Sequence, residues 1–408
     1  MSTAPRLSAA KRDWGDDDSL TPILHVDMDA FFVECELAAQ PHLRGRPLIV
    51  GGTSLRGVVS SASYEARANG VHAGQPLSQA RRMCPQAVVI PTSHGLYGRV
   101  SRRVMAVLAD VTPVIEKVSV DEAFLDVTSV RRLLGRPVDI ARLIRRRLHT
   151  ELGLPASVGI ASTKLVAKIA SAHAKPDGVL LVPDHATIEF LHMLPVGAMW
   201  GVGPATKARL ASRGMRTIRD IAYEPVESLR GLLGESAAAH LSALAWGRDP
   251  RPVTSERVEK SVGTETTFAT DVFDRELVDA VLLDQSHATA TRLRELGMLA
   301  STVAVKLRAA NFQTRSRSRS LSAPTDTARD IAEVARGLTA SLPVPQGGYR
   351  LVGVRAERLV PAEQRQLALL DDGRIREAEG AMDAINRKFG PASVRPATLL
   401  DGRGAAGE

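Results

Sequence analysis

Two groups of carboxylates are the strongest candidates for chemistry in the sequence. Asp27 and Asp29 end an apolar run that begins at Ile23, and two aromatic residues, Phe31 and Phe32, follow them. A carboxylate at the tip of a rigid strand is a natural metal ligand, because the tip opens into a cleft. An acidic turn that caps the following helix is the alternative interpretation.

The second acidic pair, Asp121 and Glu122, interrupts the apolar segment 117–126. Burying adjacent carboxylates is costly unless a cation or a partner neutralises them, although a hairpin tip in solvent would avoid that cost. Together with Asp27, this pair suits a site for two Mg²⁺ ions, in which one activates an attacking hydroxyl and the other neutralises a leaving pyrophosphate. The chemistry predicted is phosphoryl transfer.

The elements that must position these residues alternate between strands and helices. Apolar patterns predict strands at 23–27, 46–50 and 156–160, a strand pair at 114–127, and helices at 76–83, 97–110, 138–151 and 164–173. Residues 1–19 are polar and lack a period, so we expect them to be disordered. The part of the chain up to about residue 180 is therefore predicted to be α/β or α+β.

A helical domain, a linker and a second α+β module are predicted after residue 183. Residues 248–260 contain two prolines, Pro250 and Pro252, among charged residues, and they predict a linker at 251–260. The later elements are predicted strands at 301–307, 312–321 and 349–355 and predicted helices at 273–296, 327–339 and 376–388. A chain of 408 residues exceeds what one core usually holds, so an α+β multidomain protein is expected.

Composition limits the partners and the compartment. The chain has 53 basic and 45 acidic residues, and the resulting formal charge of +8 favours a polyanionic partner such as nucleic acid. Cys35 and Cys84 cannot form a disulfide framework and lack metal-ligand spacing, which fits the cytoplasm. No run is long enough to span a membrane, and the N-terminus lacks the apolar core of a signal peptide, so no membrane partner is expected.

Several short motifs accompany the carboxylates in a fixed order. They are Asp27-Met-Asp-Ala-Phe-Phe32, Ser61-Ala-Ser-Tyr64-Glu-Ala-Arg67, Gly74-Gln-Pro76, Ser119-Val-Asp-Glu-Ala-Phe-Leu-Asp126 and Ala174-Lys175-Pro-Asp-Gly178. In these motifs the chain resembles Y-family DNA polymerases of the DinB, or polymerase IV, branch over about residues 22–370. The resemblance implies a low-fidelity, lesion-tolerant polymerase in which a primer 3′-hydroxyl attacks the α-phosphate of a paired dNTP and releases pyrophosphate.

The resemblance also implies a right-hand architecture with palm, fingers, helical thumb and little finger. The expected ranges are a palm of 20–30 and 92–183, fingers of 31–91, a thumb of 184–250 with a helix-hairpin-helix, a linker of 251–260, a little finger of 261–358 and a tail of 359–408. The small residues at 57–60 in the fingers would leave a roomy pocket for a damaged templating base.

The resemblance also implies metal-binding and sugar-selecting roles for individual residues. Asp27, Asp121 and Glu122 match the family's metal-binding carboxylates, with the carbonyl of Met28 as an added ligand for two Mg²⁺, or Mn²⁺, ions. Asp29 lies beside that site. Phe32 matches the steric gate, whose ring blocks a ribose 2′-OH, although plain core packing is the alternative.

Nucleotide ligands are implied in the same way. Hydroxyls can donate to phosphate oxygens, and Arg and Lys supply positive charge. The residues implied to bind the incoming nucleotide are Ala30, Phe31, Phe32, Ser61, Tyr64, Arg67 and Lys175.

DNA contacts are implied at two places. Gly201, Gly203 and Lys207 belong to a glycine turn that could offer N–H groups to phosphates, although such turns are common between helices. Arginines alternating with serines at the two-residue period of a strand place three guanidiniums on one face, and a charged edge strand is the alternative. These arginines are Arg315, Arg317 and Arg319.

The segment 364–370 resembles the peptide by which bacterial polymerases bind the sliding clamp, the β subunit. The implied clamp contacts are Gln366, Leu367, Leu369 and Leu370, and packing of this peptide back on the protein is the alternative. The expected partners are thus primer-template DNA, dNTP and the clamp, with the enzyme a monomer.

One departure and two rival functions remain. Thr163 stands where many relatives have asparagine, which leaves its role at the start of the following helix open. A catalytically dead DNA-binding adaptor would be expected to lack one of the three carboxylates. Another two-metal enzyme, such as a nuclease or a nucleotide cyclase, would not explain Phe32 or the clamp-like peptide.

Overall fold

A computed structural model gives the fold and describes residues 5–52, 54, 56–256, 259–364, 373–390 and 393–399. The chain divides into two compact units, Met1–Arg257 and Val258–Glu408. Within the described ranges, no helix combines the length and apolar character that crossing a membrane requires.

The strands of the first unit form two sheets. In chain order they are β1 (Ile23–Met28), β2 (Leu48–Gly51), β3 (Val59–Ala62), β4 (Val88–Pro91), β5 (Ile115–Lys117), β6 (Glu122–Asp126), β7 (Ala156–Ala161) and β8 (Val179–Leu181). The larger sheet has the order β5-β6-β1-β7-β8, and the smaller has the order β3-β2-β4. Every strand predicted in this part of the chain is present, whereas β3, β4 and β8 were not predicted.

The helices of the first unit surround these sheets. In chain order they are α1 (Phe31–Ala39), α2 (Tyr64–Ala68), α3 (Leu77–Met83), α4 (His94–Ala109), α5 (Arg131–Leu134), α6 (Pro137–Leu152), α7 (Lys164–Ala174), α8 (Thr187–His192), α9 (Pro204–Ala211), α10 (Ile218–Tyr223), α11 (Val226–Leu233) and α12 (Glu235–Ala245). The predicted helices correspond to α3, α4, α6 and α7, and the helical region after residue 183 corresponds to α8 to α12.

Strand β1 is the central strand of the larger sheet, antiparallel to both β6 and β7. Alternation along β1 separates its side chains onto two faces. Leu24 and Val26 pack in one core with Ile140 and Ile144 of α6. His25 lies on the opposite face against α7, where its Nδ1 is 2.7 Å from Ser171 Oγ. The sheet therefore holds the polar ends of β1 and β6 between rigid layers.

The smaller sheet lies in the range expected for the fingers and has its own small core around Ile49. Gly57 precedes β3, and a Cβ built at this position would lie 1.9 Å from the Gly52 carbonyl oxygen. The small residue at 57 is therefore required by a close backbone approach within the described fingers segment, independently of any pocket for a template base.

The second unit is a four-stranded antiparallel sheet with two helices on one face. Its elements are β9 (Ser261–Val272), α13 (Arg275–Glu295), β10 (Met298–Ala309), β11 (Thr314–Thr325), α14 (Ala328–Ala340), β12 (Tyr349–Pro361) and α15 (Arg374–Phe389). The strand order is β11-β10-β12-β9, which leaves β11 at one edge. Val303, Val305 and Leu307 pack under the helices in a single core.

The expectation of disorder over 1–19 is wrong for residues 5–19. A 3₁₀ helix spans Ser8–Ala10, and Trp14 is buried with its ring edge-on to Phe190 at 5.5 Å. Asp18 is also buried and accepts a hydrogen bond from Arg136 Nε at 3.1 Å. One aromatic anchor and one buried carboxylate hold this segment, and neither produces the periodic pattern by which elements are predicted.

The region after residue 358 is also more structured than a simple tail. Helix α15 matches the predicted helix at 376–388, and its Glu379 and Asp383 each lie 2.7 Å from Arg294 of α13. The clamp-like residues Gln366, Leu367, Leu369 and Leu370 lie outside the described residues.

Candidate active site

The pairing of β1 with β6 determines where the predicted metal ligands lie. Asp27 stands directly opposite Glu122 in the antiparallel register, so both side chains point to the same face of the sheet. The Met28 N–H donates to the Asp121 carbonyl at 2.9 Å, which brings Asp121 beside the end of β1. The structure thus collects three carboxylates that are distant in sequence at one end of the sheet.

Each of these carboxylates has its own partner within the protein. Lys175 Nζ lies 2.5 Å from Asp27 Oδ1, and Ser119 Oγ donates to Asp121 Oδ1 at 2.5 Å. Glu122 is paired with Lys168. Because the three side chains turn to different partners, the described residues contain no group of three Asp, Glu, His or Cys side chains arranged to hold a metal ion.

A buried network on α7 orients Glu122. His25 Nδ1 lies 2.7 Å from Ser171 Oγ, and its Nε2 lies 3.2 Å from Glu122 Oε2 and 3.3 Å from Lys168 Nζ. The neutral ring donates its Nε2–H to Glu122, and Nδ1 accepts from the Ser171 hydroxyl. His25 and Lys168 thus both contact the Glu122 carboxylate.

Burial and the neighbouring polar groups shift the pKa of the Glu122 carboxyl in opposite directions. Burial alone would raise the pKa of its carboxyl, but the contact with His25 and the charge of Lys168 lower the pKa well below its usual range. Burial also lowers the pKa of His25, so the imidazole is neutral. Glu122 is consequently a carboxylate held ready for a cation.

The donor set fits divalent ions of the magnesium type. Carboxylate oxygens of Asp27, Asp121 and Glu122 and the carbonyl of Met28 are hard oxygen ligands, which Mg²⁺ prefers. Lys175 Nζ lies 2.5 Å from Asp27 Oδ1 and 3.3 Å from the Met28 carbonyl, so a cation already contacts two of these four groups. A metal ion bound through Asp27 Oδ1 would compete with Lys175 for that oxygen.

Asp29 forms hydrogen bonds with several segments around the site. It is buried and accepts hydrogen bonds from the Tyr64 hydroxyl at 3.0 Å and from the Asp177 N–H at 2.6 Å. Ser157 Oγ lies 3.0 Å from its Oδ2, and Lys175 Nζ lies 3.4 Å from its Oδ1. Asp29 therefore joins β1, the start of α2 and the segment after α7.

The predicted nucleotide ligands line two sides of this end of the sheet. Ser61 is buried, Tyr64 and Arg67 are partly buried, and Arg67 lies over the Tyr64 ring at 5.0 Å. Burial raises the pKa of the Tyr64 hydroxyl and lowers that of the Arg67 guanidinium. Lys175 approaches from the end of α7. Tyr64 and Lys175 thus both contact Asp29, which lies beside the proposed metal ligands.

Ala30 and the phenylalanines form the turn after β1. Ala30 has φ of 41°, in the left-handed region that is uncommon for residues with a side chain. Phe31 is buried in the core, whereas Phe32 is partly exposed and stacks on Tyr97. Of the two rings, Phe32 is the one that is available to a ligand.

The glycine turn lies across a cavity from Glu122. Gly201, with φ of 93°, and Gly203 are exposed before α9, and Lys207 is exposed on that helix. A cavity of about 520 Å³ is lined by this turn, by Glu122 and by Lys168. Trp200 in the turn packs 5.8 Å from Phe124 and has Lys168 Nζ 5.6 Å from its ring.

The side chains of the three arginines of β11 project from the face of the sheet on which the helices pack. Arg315, Arg317 and Arg319 are exposed on this edge strand, and their register partners on β10 are Leu307, Val305 and Val303. Opposite residues share a face, and these three partners belong to the core under the helices. The open face carries other polar residues, which include Ser316, Ser318, Lys306 and Arg355.

Sequence patterns did not indicate His25, Lys168, Tyr97 or Trp200 as parts of the site. His25 lies two residues before Asp27 on the same face of β1, and this spacing was the one available signal. Thr163 precedes α7, and its buried hydroxyl has no hydrogen-bond partner among the described residues and does not cap the helix.

Comparison with known proteins agrees with this arrangement. The family model described as the impB/mucB/samB family matches residues 26–172, and its C-terminal domain matches residues 259–369. DNA polymerase IV from Desulfatibacillum aliphaticivorans is 43% identical over 93% of this chain and 96% of its own length. DNA polymerase IV 2 from Mesorhizobium japonicum is 40% identical over 94% of this chain and 95% of its own length.

A solved structure agrees as well. A Y-family DNA polymerase chimera of Dbh and Dpo4 is 26% identical, covers 83% of this chain and 99% of its own, and has a TM-score of 0.74. The fold class predicted from the motifs, a multidomain right-hand polymerase, is therefore confirmed. The chain belongs to the impB/mucB/samB family of Y-family translesion DNA polymerases.

Proposed function

We propose that Asp27, Asp121 and Glu122 are the metal-binding catalytic carboxylates of this polymerase, with the Met28 carbonyl as a further ligand. The observation that carries the proposal is the opposition of Asp27 and Glu122 across β1 and β6, with Asp121 adjacent. Two Mg²⁺ ions, with Mn²⁺ as a substitute, would lower the pKa of the primer 3′-hydroxyl and neutralise charge on the reacting phosphates.

The protein's own groups prepare this reaction. Lys168 and His25 hold Glu122 ionised, and Asp29 fixes β1 relative to Tyr64. Lys175 acts as the counter-ion of Asp27 and transfers to the triphosphate of the incoming dNTP, where Ser61, Tyr64 and Arg67 also bind. The freed Asp27 carboxylate then becomes a metal ligand.

Sugar selection is assigned to Phe32. Its ring lies at the start of α1, three residues beyond Asp29, and is partly exposed. A ribose 2′-OH would meet this ring, so deoxynucleotides are preferred. Ala30 and Phe31 shape the adjoining part of the pocket.

Primer-template DNA is the proposed macromolecular substrate. Backbone N–H groups of Gly201 and Gly203, together with Lys207, would bind phosphates independently of sequence. In the second unit the open face of the sheet suits the duplex, and Arg315, Arg317 and Arg319 would reach its backbone from the edge strand.

The domain ranges and the remaining partner follow the family pattern. Palm, fingers, thumb, little finger and tail keep the expected ranges, except that residues 5–19 are folded, β12 extends to Pro361, and α15 in the tail pairs with α13. Gln366, Leu367, Leu369 and Leu370 are proposed to bind the sliding clamp, and replacing both Leu369 and Leu370 by alanine should abolish clamp capture. A monomer in the cytoplasm is proposed, and the buried free thiols of Cys35 and Cys84 agree with a reducing compartment.

Primer extension with Mg²⁺ tests the active site. Asp27→Asn, Asp121→Asn and Glu122→Gln should each lower single-nucleotide incorporation by at least about 100-fold, because each removes charge from a metal ligand while keeping its shape. Asp139→Asn is the matched control, since Asp139 is exposed on α6 and pairs with neighbouring Arg142.

Two results would remove this proposal. One is a wild-type chain that extends no primer, and the other is an Asp121→Asn chain as active as wild type. Incubation with the same DNA but without dNTP separates the nuclease rival, because a nuclease would shorten the primer and a polymerase would leave it intact.

A further inference from the structure

The N-terminal strap, residues 5–20, is a folded part of the first unit that precedes the region matched by the family model. Trp14 anchors it against Phe190 of α8, and buried Asp18 binds Arg136 at the start of α6. The matched region begins at residue 26. The strap therefore lies outside the region that the family model matches.

The strap is bonded to the end of α7, beside the proposed nucleotide site. The Leu7 N–H donates to His173 Nε2 at 3.2 Å, and Lys11 Nζ donates to the Lys175 carbonyl at 3.1 Å. The Lys175 side chain in turn contacts Asp27. The strap thus fixes the backbone of a lysine whose ammonium group faces the carboxylates.

Arg6 lies between two residues whose positions are known from direct contacts. On one side, Pro5 lines the same cavity as Glu122 and Lys168. On the other side, Leu7 binds His173. Arg6 itself is exposed between these two contacts, so its guanidinium is accessible to a ligand.

The electrostatics agree with this location. Burial raises the pKa of the Tyr64 hydroxyl and lowers that of the Arg67 guanidinium, and the positive charge of Arg6 contributes to both, opposing the first shift and adding to the second. Arg6 is therefore near the two side chains proposed to bind the triphosphate from the fingers side.

The charge of the first half of the strap indicates the kind of ligand that it serves. Residues 5–12 contain Arg6, Lys11 and Arg12 and no acidic residue, and the four aspartates of the strap follow at 13 and 16–18, where Asp18 binds Arg136. A segment that excluded nucleotides or DNA from this cleft would be expected to present negative charge, whereas cations attract phosphates. Arginine can also bind two phosphate oxygens at once.

We propose that Arg6 binds the phosphates of the incoming nucleotide as a third cationic ligand beside Arg67 and Lys175, and that Lys11 positions Lys175 for the same task. This inference rests on the polymerase function proposed above. It makes the strap a nucleotide-affinity element that family members without such a segment lack.

Nucleotide binding and turnover test the inference separately. The dissociation constant of the correct dNTP is measured by fluorescence on a dideoxy-terminated primer-template, and KM and kcat are measured by extension of a normal primer. Arg6→Ala should raise both the dissociation constant and KM about fivefold, since one partly exposed charge-assisted contact is lost, with kcat largely unchanged. Arg6→Lys should restore most of the affinity, and Lys11→Ala should also raise KM.

Arg12→Ala is the matched control because it removes the same charge from the same strap. Arg12 lies over the Trp14 ring and pairs with Glu189, away from the nucleotide residues, so its loss should leave KM at the wild-type value. If wild type extends primers and Arg6→Ala behaves like Arg12→Ala, the inference alone is overturned. A lower dissociation constant in Arg6→Ala would also overturn it, because the strap would then obstruct the site. A wild-type chain without extension activity overturns the proposed function itself.

Discussion

The ring of Phe32 stacks on the ring of Tyr97, with centroids 4.1 Å apart and planes inclined by 11°. Tyr97 is buried on α4, and its hydroxyl donates to Glu36 Oε1 at 2.6 Å. The proposed sugar gate is thus supported from behind by a ring that is itself fixed by a buried carboxylate. Because Phe32 is only partly buried, this stack is a main constraint on its position.

Removing the support should therefore weaken sugar selection. In Tyr97→Leu, Phe32 loses its stacking partner and gains freedom to move aside, so incorporation of ribonucleotides should rise relative to wild type while dNTP incorporation falls less. The ratio of kcat/KM for dNTP and rNTP measures this effect.

Two further variants provide comparisons for the sugar discrimination of Tyr97→Leu. Phe32→Ala should raise ribonucleotide incorporation more than Tyr97→Leu does, because it removes the gate itself. Tyr97→Phe keeps the stack and loses the hydrogen bond to Glu36, so its sugar discrimination should lie closer to that of wild type than that of Tyr97→Leu does. Unchanged sugar discrimination in Phe32→Ala would remove the gate assignment.

Lys168 should raise the Mg²⁺ concentration that the site needs for half-maximal incorporation. Its ammonium group is paired with Glu122, so it competes with a divalent ion for that carboxylate and repels cations nearby. In Lys168→Met the Mg²⁺ concentration for half-maximal incorporation should fall about fivefold, an effect of roughly 1 kcal/mol as expected for charges at such distances in a solvated site. Binding of Mn²⁺ followed by electron paramagnetic resonance gives the same comparison without turnover.

Lys168→Arg keeps the charge and serves as the control, with a metal requirement near that of wild type. A Lys168→Met chain that needs more metal than wild type would show that Lys168 orients Glu122 for the ion rather than competing with it.

Periodic elements were predictable because burial imposes their pattern. The apolar run that ends at Asp27 predicted β1, and the helical spacing at 138–151 predicted α6. Short strands escaped prediction for the same reason, since β8, Val179–Leu181, is too short to show a period. Acidic residues in apolar segments were informative because their burial needs a cation.

The counter-ions of the site were not predictable from local patterns. Lys168 meets Glu122 and Lys175 meets Asp27 only because α7 packs across the sheet, which brings residues distant in sequence together. The direction of the arginine row was also open, because the two-residue period places Arg315 and Arg317 on one face without indicating which face the helices cover. That choice depends on the register with β10.

The strap contact at His173 should depend on pH. His173 Nδ1 lies 2.9 Å from the Ile169 carbonyl, to which its N–H donates, and Nε2 accepts from the Leu7 N–H, so the contact requires the neutral ring. Burial lowers the pKa of His173 from its usual value near 6.5. When the strap opens, the His173 ring is exposed and binds a proton more readily. The contact therefore contributes its full stability above about pH 6.5, and this stability is lost as the pH falls below that value.

Hydrogen exchange of residues 5–12 between pH 8 and pH 5.5 measures this opening, after correction for the intrinsic exchange rate. Protection should fall at the acid end in wild type. His173→Gln cannot be protonated in this range and retains an acceptor, so its protection should be independent of pH. Equal pH dependence in both proteins would assign the effect to another group.

Glu379 should contribute more to the stability of the second unit than any exposed residue of α15 does. Its carboxylate accepts from the N–H groups of Ala328 and Arg329 at 2.8 and 3.2 Å, at the start of α14, and pairs with Arg294. Glu379→Ala removes this cap and leaves a buried guanidinium with one fewer partner, so it should destabilise the second unit by about 2 kcal/mol. Hydrogen exchange of α14 in the full chain reports that loss.

The same chain offers two controls for this prediction. Glu377→Ala changes an exposed residue on α15 and should alter protection by less than about 0.5 kcal/mol. All three tryptophans, Trp14, Trp200 and Trp246, belong to the first unit, so urea unfolding followed by their fluorescence should be the same for wild type and Glu379→Ala. If Glu379→Ala leaves the protection of α14 at the wild-type level, α15 does not stabilise the second unit through this residue, and the region after residue 372 would act only as an appended tail.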